Sequence, residues 1–550
     1  MTDATMIAIN QIGYLPFSKK EVTFSGDAIA ETFELYDSAH NEMIASFFQT
    51  KPMQDRSTGR MCSRGDFSGI CKHGRFKIVA GGVESCEFEI SDLVYDQIFQ
   101  ESVYMLHLQR CGCELKYEEA GDFAHKICHH EPAQIYGTKD RIDVSGGWHD
   151  AGDYGRYIVP AAKAVADLML ACELYPEKTE FAVSIPGCPK YEPALLYEVR
   201  YEIDWMLKMQ RQDGGVYHKV TCAEFPDIRT MPEDETDKLI VSPVSNAATA
   251  TFAASMVCAY RVFSKLDPVY ADKLLAAAKS AIAYITEHKD AEGFTNPSGI
   301  VTGEYGDANW KDEYFWALAE MCRTTEERQY HMLLEELGTG KEILTPQLGW
   351  DENGLYGAYA YIKSTNRRKS IEGACMRALV KAADEYVSYS RDNGYGCAIA
   401  DGNYPWGSNM VVANRGMLCA LLSRIPEISE AKREQYRVVL ERQLAYLLGR
   451  NGMGYCYVTG FGARSPQNPH HRPSAVVGKP MRGMLVGGPD DGMHDPVAAE
   501  IFHNTPSQLC YTDTLESYST NEVTIYWNTP LIFLIAAITA GNKTVRNGVL

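Results

Sequence analysis

Val165-Ala-Asp-Leu-Met-Leu-Ala-Cys172 sets its large apolar side chains at positions i, i+3, i+4 and i+7, the spacing that lines one face of a helix. The same spacing recurs at Leu196, Val199, Ile203 and Met206, and again at Leu440, Leu444, Leu447 and Leu448. About eleven or twelve such segments can be read between residues 95 and 545, joined by loops of unequal length. Little strand signal separates them, so the chain beyond residue 95 reads as mainly α. Paired helices in that number suggest a toroid or a solenoid, and the lack of a fixed repeat counts against the solenoid. Ahead of residue 95 the period changes. Glu31-Thr-Phe-Glu-Leu-Tyr36 and Arg75-Phe-Lys-Ile-Val79 alternate between apolar and polar, which predicts a small β-sandwich. Two domains are therefore expected, 1–95 and 96–550.

The chain has 550 residues, 45% hydrophobic and 23% charged, enough to bury a large core. A net charge of −19 argues against a nucleic-acid partner, whose phosphates demand clustered Lys and Arg. No run of about 18 apolar residues offers a membrane span. The first ten residues lack a basic region and an apolar core, so the sequence as it stands reads as cytoplasmic, or secreted if a signal peptide has been removed. The 16 cysteines are spread along the chain, which suits reduced thiols better than a disulfide framework.

Gly, Pro, Asn, Asp and His gather in the long loops, where function usually sits. The densest is Asp143-Val-Ser-Gly-Gly-Trp-His-Asp-Ala-Gly-Asp-Tyr-Gly-Arg-Tyr157. Asp150 and Asp153, three apart, are able to share one water or one metal ion, and a water so held faces a strong general base. The plainer reading is an Asp-rich turn with Asp153 capping a helix. A second segment, Tyr511 to Thr529, carries Glu522 among Asn521, Tyr526 and Trp527. A carboxyl among aromatics has a raised pKa, as a general acid requires, although Glu522 could equally support a helix N-terminus. The third, Gly460 to Ser474, holds His470, His471 and Arg472 in a loop bounded by prolines, suited to binding sugar hydroxyls.

Together these segments resemble glycoside hydrolase family 9 over nearly the whole chain. Asn10-Gln-Ile-Gly-Tyr-Leu-Pro16 resembles the start of the immunoglobulin-like module found ahead of the catalytic domain in one branch of that family. Gln109-Arg-Cys-Gly112 and Tyr404-Pro-Trp-Gly-Ser-Asn-Met-Val-Val-Ala-Asn414 resemble further family segments. Tyr511–Thr529 matches one family signature, and Pro469-His-His-Arg472 the core of another. The resemblance implies an (α/α)6 barrel of twelve helices behind the β-sandwich. It implies hydrolysis with inversion, in which Asp153 is the base, Asp150 helps hold the water and Glu522 protonates the leaving oxygen. Asp513 would be a supporting active-site carboxylate, and His470 and Arg472 would bind the sugar near the scissile bond. Inversion requires acid and base roughly 6.5–9.5 Å apart, and residues so distant in sequence meet that need only if the chain closes on itself. Trp406, Trp148, Tyr154 and Trp527 are candidate stacking platforms, each of which could instead be core.

Cys111, Cys128, His129 and His149 have the ligand types of a structural zinc site, with Cys113 a rival for Cys111. Their irregular spacing also suits buried free thiols. The resemblance favours zinc, because relatives with the N-terminal module hold it with a similar set. Asp312 and Glu313, in Asn309-Trp-Lys-Asp-Glu-Tyr-Phe-Trp316, resemble a family calcium site with Asp351 as a further candidate ligand. Adjacent acids at a helix start also complement its dipole. No organic cofactor is implied, and no open-site metallohydrolase motif such as His-Glu-x-x-His occurs.

The expected activity is cleavage of β-1,4-glucosidic bonds in cellulose or cello-oligosaccharides, by an endoglucanase or cellodextrinase. The alternative on the same fold is an exo-acting β-glucosidase or glucosaminidase on short oligosaccharides. A non-catalytic carbohydrate-binding protein is disfavoured by the intact acid and base set. The expected partner is a β-linked glucan or oligosaccharide, with no nucleic acid and no membrane, and the oligomeric state is left open.

Overall fold

The computed structural model describes residues 5–180 and 184–548. Its N-terminal part is two facing sheets. One has four strands, Met6–Ala8, Glu21–Ser25, Arg60–Asp66 and Met53–Asp55 in spatial order. The other has six and is centred on Gly74–Ala80 and Thr32–Asp37. Thr32–Asp37 turns alternate side chains inward, and Phe33 and Leu35 join Phe24, Phe67, Phe76 and Phe88 in a core separate from that of the helices.

The sandwich is tied to the helical part by buried charge. Glu21 accepts from Arg442 Nε and Nη2 at 2.8 and 2.9 Å, and from Arg450 Nη1 at 2.7 Å. Burial alone would raise the Glu21 carboxyl, yet the two guanidinium groups hold it far below the ordinary carboxylate range. Removing one partner of such a group strands buried charge, so the pairing fixes how the two parts meet.

The first long helix, Asp96–Leu108, opens an (α/α)6 barrel. Six helices form the inner ring: Ile158–Leu174, Asn246–Phe263, Lys311–Thr325, Gly354–Ile362, Ser408–Ser423 and Ile525–Gly548. The last packs back on the first and closes the ring. Inner helices such as Ile158–Leu174 are buried on nearly every side and mostly apolar, whereas outer helices such as Lys369–Asp392 bury one stripe through Ile371, Cys375, Leu379, Ala382 and Tyr386. Inside the ring, Lys163 and Asp167 form a buried pair at 2.7 Å, and Asp167 also accepts from Tyr356 and from Thr529.

One element escaped the sequence reading. A five-stranded sheet is built from strands of two or three residues, in the order Arg141–Ile142, Ala133–Ile135, Ile240–Val241, Lys219–Thr221, Arg156–Tyr157. Strands so short carry no period to detect. This sheet anchors both ends of the Asp150 loop to the barrel mouth. No helix among the described residues is long and apolar enough to cross a membrane.

Candidate active site

The loop carrying Asp150 and Asp153 is held from several sides. His149 N donates to Gln109 O at 2.7 Å, Asp150 N to Gly155 O at 3.0 Å, and Ile525 N to Asp150 O at 2.8 Å. Gly152 lies so close to the neighbouring His470 loop that a Cβ would sit 2.1 Å from His470 O. Within this frame the two carboxylates differ. Asp153 Oδ2 accepts from Gly155 N and from Tyr157 Oη, both at 3.0 Å. Asp150 Oδ2 accepts from Tyr305 Oη at 2.6 Å, and its buried Oδ1 has no partner. Burial pushes both carboxyls up. Asp150 is driven further by the Asp153 charge, with only the Tyr305 hydroxyl opposing. At Asp153, burial is opposed by Arg472, the Gly155 amide and the Tyr157 hydroxyl. The shared negative charge therefore rests on Asp153.

Glu522 follows the short helix Tyr518–Asn521 and precedes the final inner helix. Its backbone runs beside His470: His470 N donates to Asn521 O at 2.8 Å and Gly487 N to Glu522 O at 2.9 Å. No described residue donates a hydrogen bond to the Glu522 carboxylate. Burial, then Asp153 and Asp150, push it well above the ordinary carboxylate range against the pull of Arg472. His470 Nδ1 is 2.7 Å from Leu515 O, which assigns the hydrogen to Nδ1 and leaves Nε2 for a ligand. Arg472 Nη1 donates to Gly152 O at 2.8 Å, and Nη2 to Pro226 O at 2.8 Å, so one cation ties two loops of the site together.

Asp150, Asp153 and Glu522 line one cleft of about 650 Å³, together with His470, Arg472, Trp406 and Trp527. Trp406 is 42% exposed and offers a ring face for a sugar. Three residues sit elsewhere. Trp148 is core: it is 1% exposed, and its Nε1 donates to Glu198 at 2.9 Å. Tyr154 is also buried; its hydroxyl donates to Thr230 O and its ring packs 4.8 Å from the His149 ring. Asp513 lies outside the cleft lining, where it accepts from Gln467 N, Asn468 N and Asn521 Nδ2 and so braces the chain beside His470 and Glu522. The sequence reading missed Tyr305, Trp350 and Phe225, which line the cleft from loops without a motif. The one local signal is the left-handed backbone of Tyr305, φ 46°, which only the folded structure reveals.

The chain that builds this cleft matches a known family over most of its length. The Glycosyl hydrolase family 9 profile matches residues 95–535. The chain belongs to glycosyl hydrolase family 9. The cellulase N-terminal ig-like domain matches residues 2–85. A cellodextrinase from Butyrivibrio fibrisolvens is 34% identical over 97% of this chain and 99% of its own length. Endoglucanase D of Acetivibrio thermocellus is 32% identical over 98% of this chain and 84% of its own. Among solved structures, a thermostable endoglucanase from Alicyclobacillus acidocaldarius superposes with a TM-score of 0.91 at 36% identity, covering 98% of this chain and all of that one. The structure of AaCel9A with a cellobiose-like isofagomine gives 0.90 at 36% identity, covering 97% and 99%. A Zn-binding triple mutant of the family 9 endoglucanase J30 gives 0.89 at 30%, covering 96% and 99%.

This family 9 chain also gathers two sets of metal-ligand types. Cys111, Cys128, His129 and His149 are all buried, with ligand atoms within 4.8 Å of one another, and Cys113 lies outside the set. Burial alone would raise the Cys111 thiol, yet the Cys128 thiol, Arg156 and the two imidazoles hold it well below the usual thiol range. His129 turns its other nitrogen to Glu235 at 2.9 Å, the kind of outer partner that orients a metal-bound imidazole. The second set is Asp307, Asp312 and Glu313. Asp307 takes the place expected of Asp351, which is exposed and outside the set. Asp307 Oδ2, Asp312 Oδ1, Glu313 Oε2 and the neighbouring Asn353 Oδ1 are buried oxygens without a hydrogen-bond partner. Burial and the Asp307 charge push Asp312 up to about 7, and burial with the Asp312 and Asp307 charges pushes Glu313 well above the ordinary carboxylate range. A cation would relieve both the repulsion and the unpaired oxygens.

Proposed function

We propose that this family 9 hydrolase cleaves β-1,4-glucosidic bonds of cello-oligosaccharides and soluble β-glucan with inversion at the anomeric carbon. The observation that carries the reading is the unequal set of carboxyls in one cleft: Asp153 is stabilised as an anion by donors, and Glu522 has none. Asp153 removes a proton from water, and the resulting hydroxide attacks the anomeric carbon. Asp150, with its free oxygen, helps orient that water. Glu522 delivers its proton to the departing glycosidic oxygen. His470 Nε2 and Trp406 supply a polar and a stacking contact for the bound sugar. The names of the relatives, a cellodextrinase and endoglucanases, support the substrate class.

Glu304 supports a second reading, a preference for glucosamine units. It lines the cleft, and the acid–base set does not use its carboxylate. A time course on cellohexaose, chitosan oligosaccharides and carboxymethylcellulose separates the readings. Internal cuts in the cellulosic substrates are expected for endo action, and stepwise release of glucose for exo action. Release of glucosamine alone would overturn the glucan assignment.

Zinc fits the Cys111, Cys128, His129 and His149 set, which supplies four protein ligands and so a closed, structural site. Asp307, Asp312 and Glu313 would hold calcium, whose preference is for oxygen. Neither ion is assigned a step in the reaction.

A further inference from the structure

Tyr157 is a buried residue in the lining of the cleft, and its surroundings are built around its ring. Antiparallel pairing in the small sheet sets Tyr157 opposite Lys219. The Lys219 ammonium lies 5.5 Å from the centre of the Tyr157 ring and is itself fixed by Thr302 O, Thr302 Oγ1 and Gly303 O, at 3.2, 3.1 and 2.6 Å. Two glycines make room. A Cβ on Gly155 would stand 2.4 Å from the Tyr157 hydroxyl, and one on Gly303 would stand 3.3 Å from it. The Tyr305 ring closes the cage edge-on at 4.9 Å. A phenylalanine would fill this cage as well as a tyrosine does. What the hydroxyl adds is one contact, the 3.0 Å hydrogen bond to Asp153 Oδ2.

We propose that Tyr157 is a positioning residue for the base: its caged hydroxyl holds Asp153 Oδ2, so that Oδ1 is aimed at the attacking water. Asp153 Oδ1 takes no hydrogen bond among the described residues, whereas Oδ2 takes two. A carboxylate anchored through one oxygen cannot swing, and the other oxygen keeps its direction through the reaction. The inference rests on Asp153 being the base, as proposed above. Other charged groups also bear on Asp153: Arg472 and Glu235, Asp150, Glu522 and Lys219. Their contributions stay in place when the Tyr157 hydroxyl alone is removed.

The test compares Tyr157→Phe, Asp153→Asn and the double variant on cellohexaose. Tyr157→Phe is expected to lower kcat about tenfold or more, because it removes a hydrogen bond to a charged group, with little change in KM. Its acid limb of kcat is expected at higher pH, since a lost donor makes the Asp153 anion less favourable. The double variant should be no slower than Asp153→Asn alone, because the hydroxyl acts only through that carboxylate. Replacing Tyr157 by 3-fluorotyrosine strengthens the donor without emptying the cage, and the acid limb is then expected at lower pH. Wild-type kcat and acid limb in both Tyr157 variants would overturn the inference, as would losses that multiply in the double variant. Full activity of Asp153→Asn would sink the base assignment instead, and so separates the two failures.

Discussion

The two halves of the proposed acid–base set are built in opposite ways. On the base side, a Gly-rich loop hangs between the Cys/His set and a small sheet, and both of its carboxylates receive hydrogen bonds: Asp153 from Gly155 and Tyr157, Asp150 from Tyr305. On the acid side, Glu522 is held only through its backbone, and no described donor reaches its carboxylate. Burial acts on all three. At Asp153 the Arg472 charge, the Gly155 amide and the Tyr157 hydroxyl all oppose it, whereas at Glu522 only the Arg472 charge does. One fold can thus run base and acid chemistry at the same pH with the same residue type.

The largest effect should come from removing the charged half. Asp153→Asn is expected to cost about 10²–10⁴ in kcat on every glycoside, since each turnover needs an activated water. Initial rates on cellohexaose and on an aryl cellobioside would check it. A variant that keeps its activity on both would break the contrast. Glu522→Gln should lose about as much on cellohexaose but much less on a glycoside with a good leaving group, which needs little protonation. Equal losses on both substrates would remove the acid role.

The same contrast fixes the pH profile. The acid must carry its proton, so activity falls as pH rises through the Glu522 pKa. That pKa is raised by burial and by Asp153 and Asp150, so the alkaline limb is expected above the ordinary carboxylate range. The base must be charged, so activity falls on the other side as pH drops through the Asp153 pKa. Glu522→Gln should abolish the alkaline limb and leave the acid one in place, as read from kcat against pH on an aryl cellobioside.

Smaller effects probe the frame around the base. Cys128→Ser should lower the melting temperature and, by loosening His149 next to Asp150, reduce kcat as well. Calorimetry with elemental analysis for zinc would check it, and unchanged stability without zinc would dismiss the metal. Asp312→Asn, remote from the acid–base set, should move stability in calcium-containing buffer more than kcat.

Much of this was legible in the sequence, for identifiable reasons. The inner helix Ile158–Leu174 announces itself because burial on nearly every side leaves it mostly apolar, with Lys163 and Asp167 paired inside. Asp150 and Asp153 stand out because glycines and aromatics crowd around them in a long loop, and Glu522 because Tyr518, Tyr526 and Trp527 stand close to it. Residue type alone does not say which way a ring faces. Trp148 and Tyr154 sit in the same motif as Asp150, yet both are turned inward, against Glu198 and His149. Asp307 was missed because it lies in the loop five positions ahead of Asp312, before the helix Lys311–Thr325 begins, and no sequence period links the two. Tyr305 was missed for the same reason, 155 positions from the carboxylate it serves.

The decisive measurement is the configuration of the first product, followed by NMR during early hydrolysis of cellohexaose. Water activated by Asp153 attacks the face opposite the leaving group, so the newly formed reducing end should emerge as the α-anomer and reach the β form only by later mutarotation. A reducing end that emerges as the β-anomer would contradict the mechanism, whichever bond is cut.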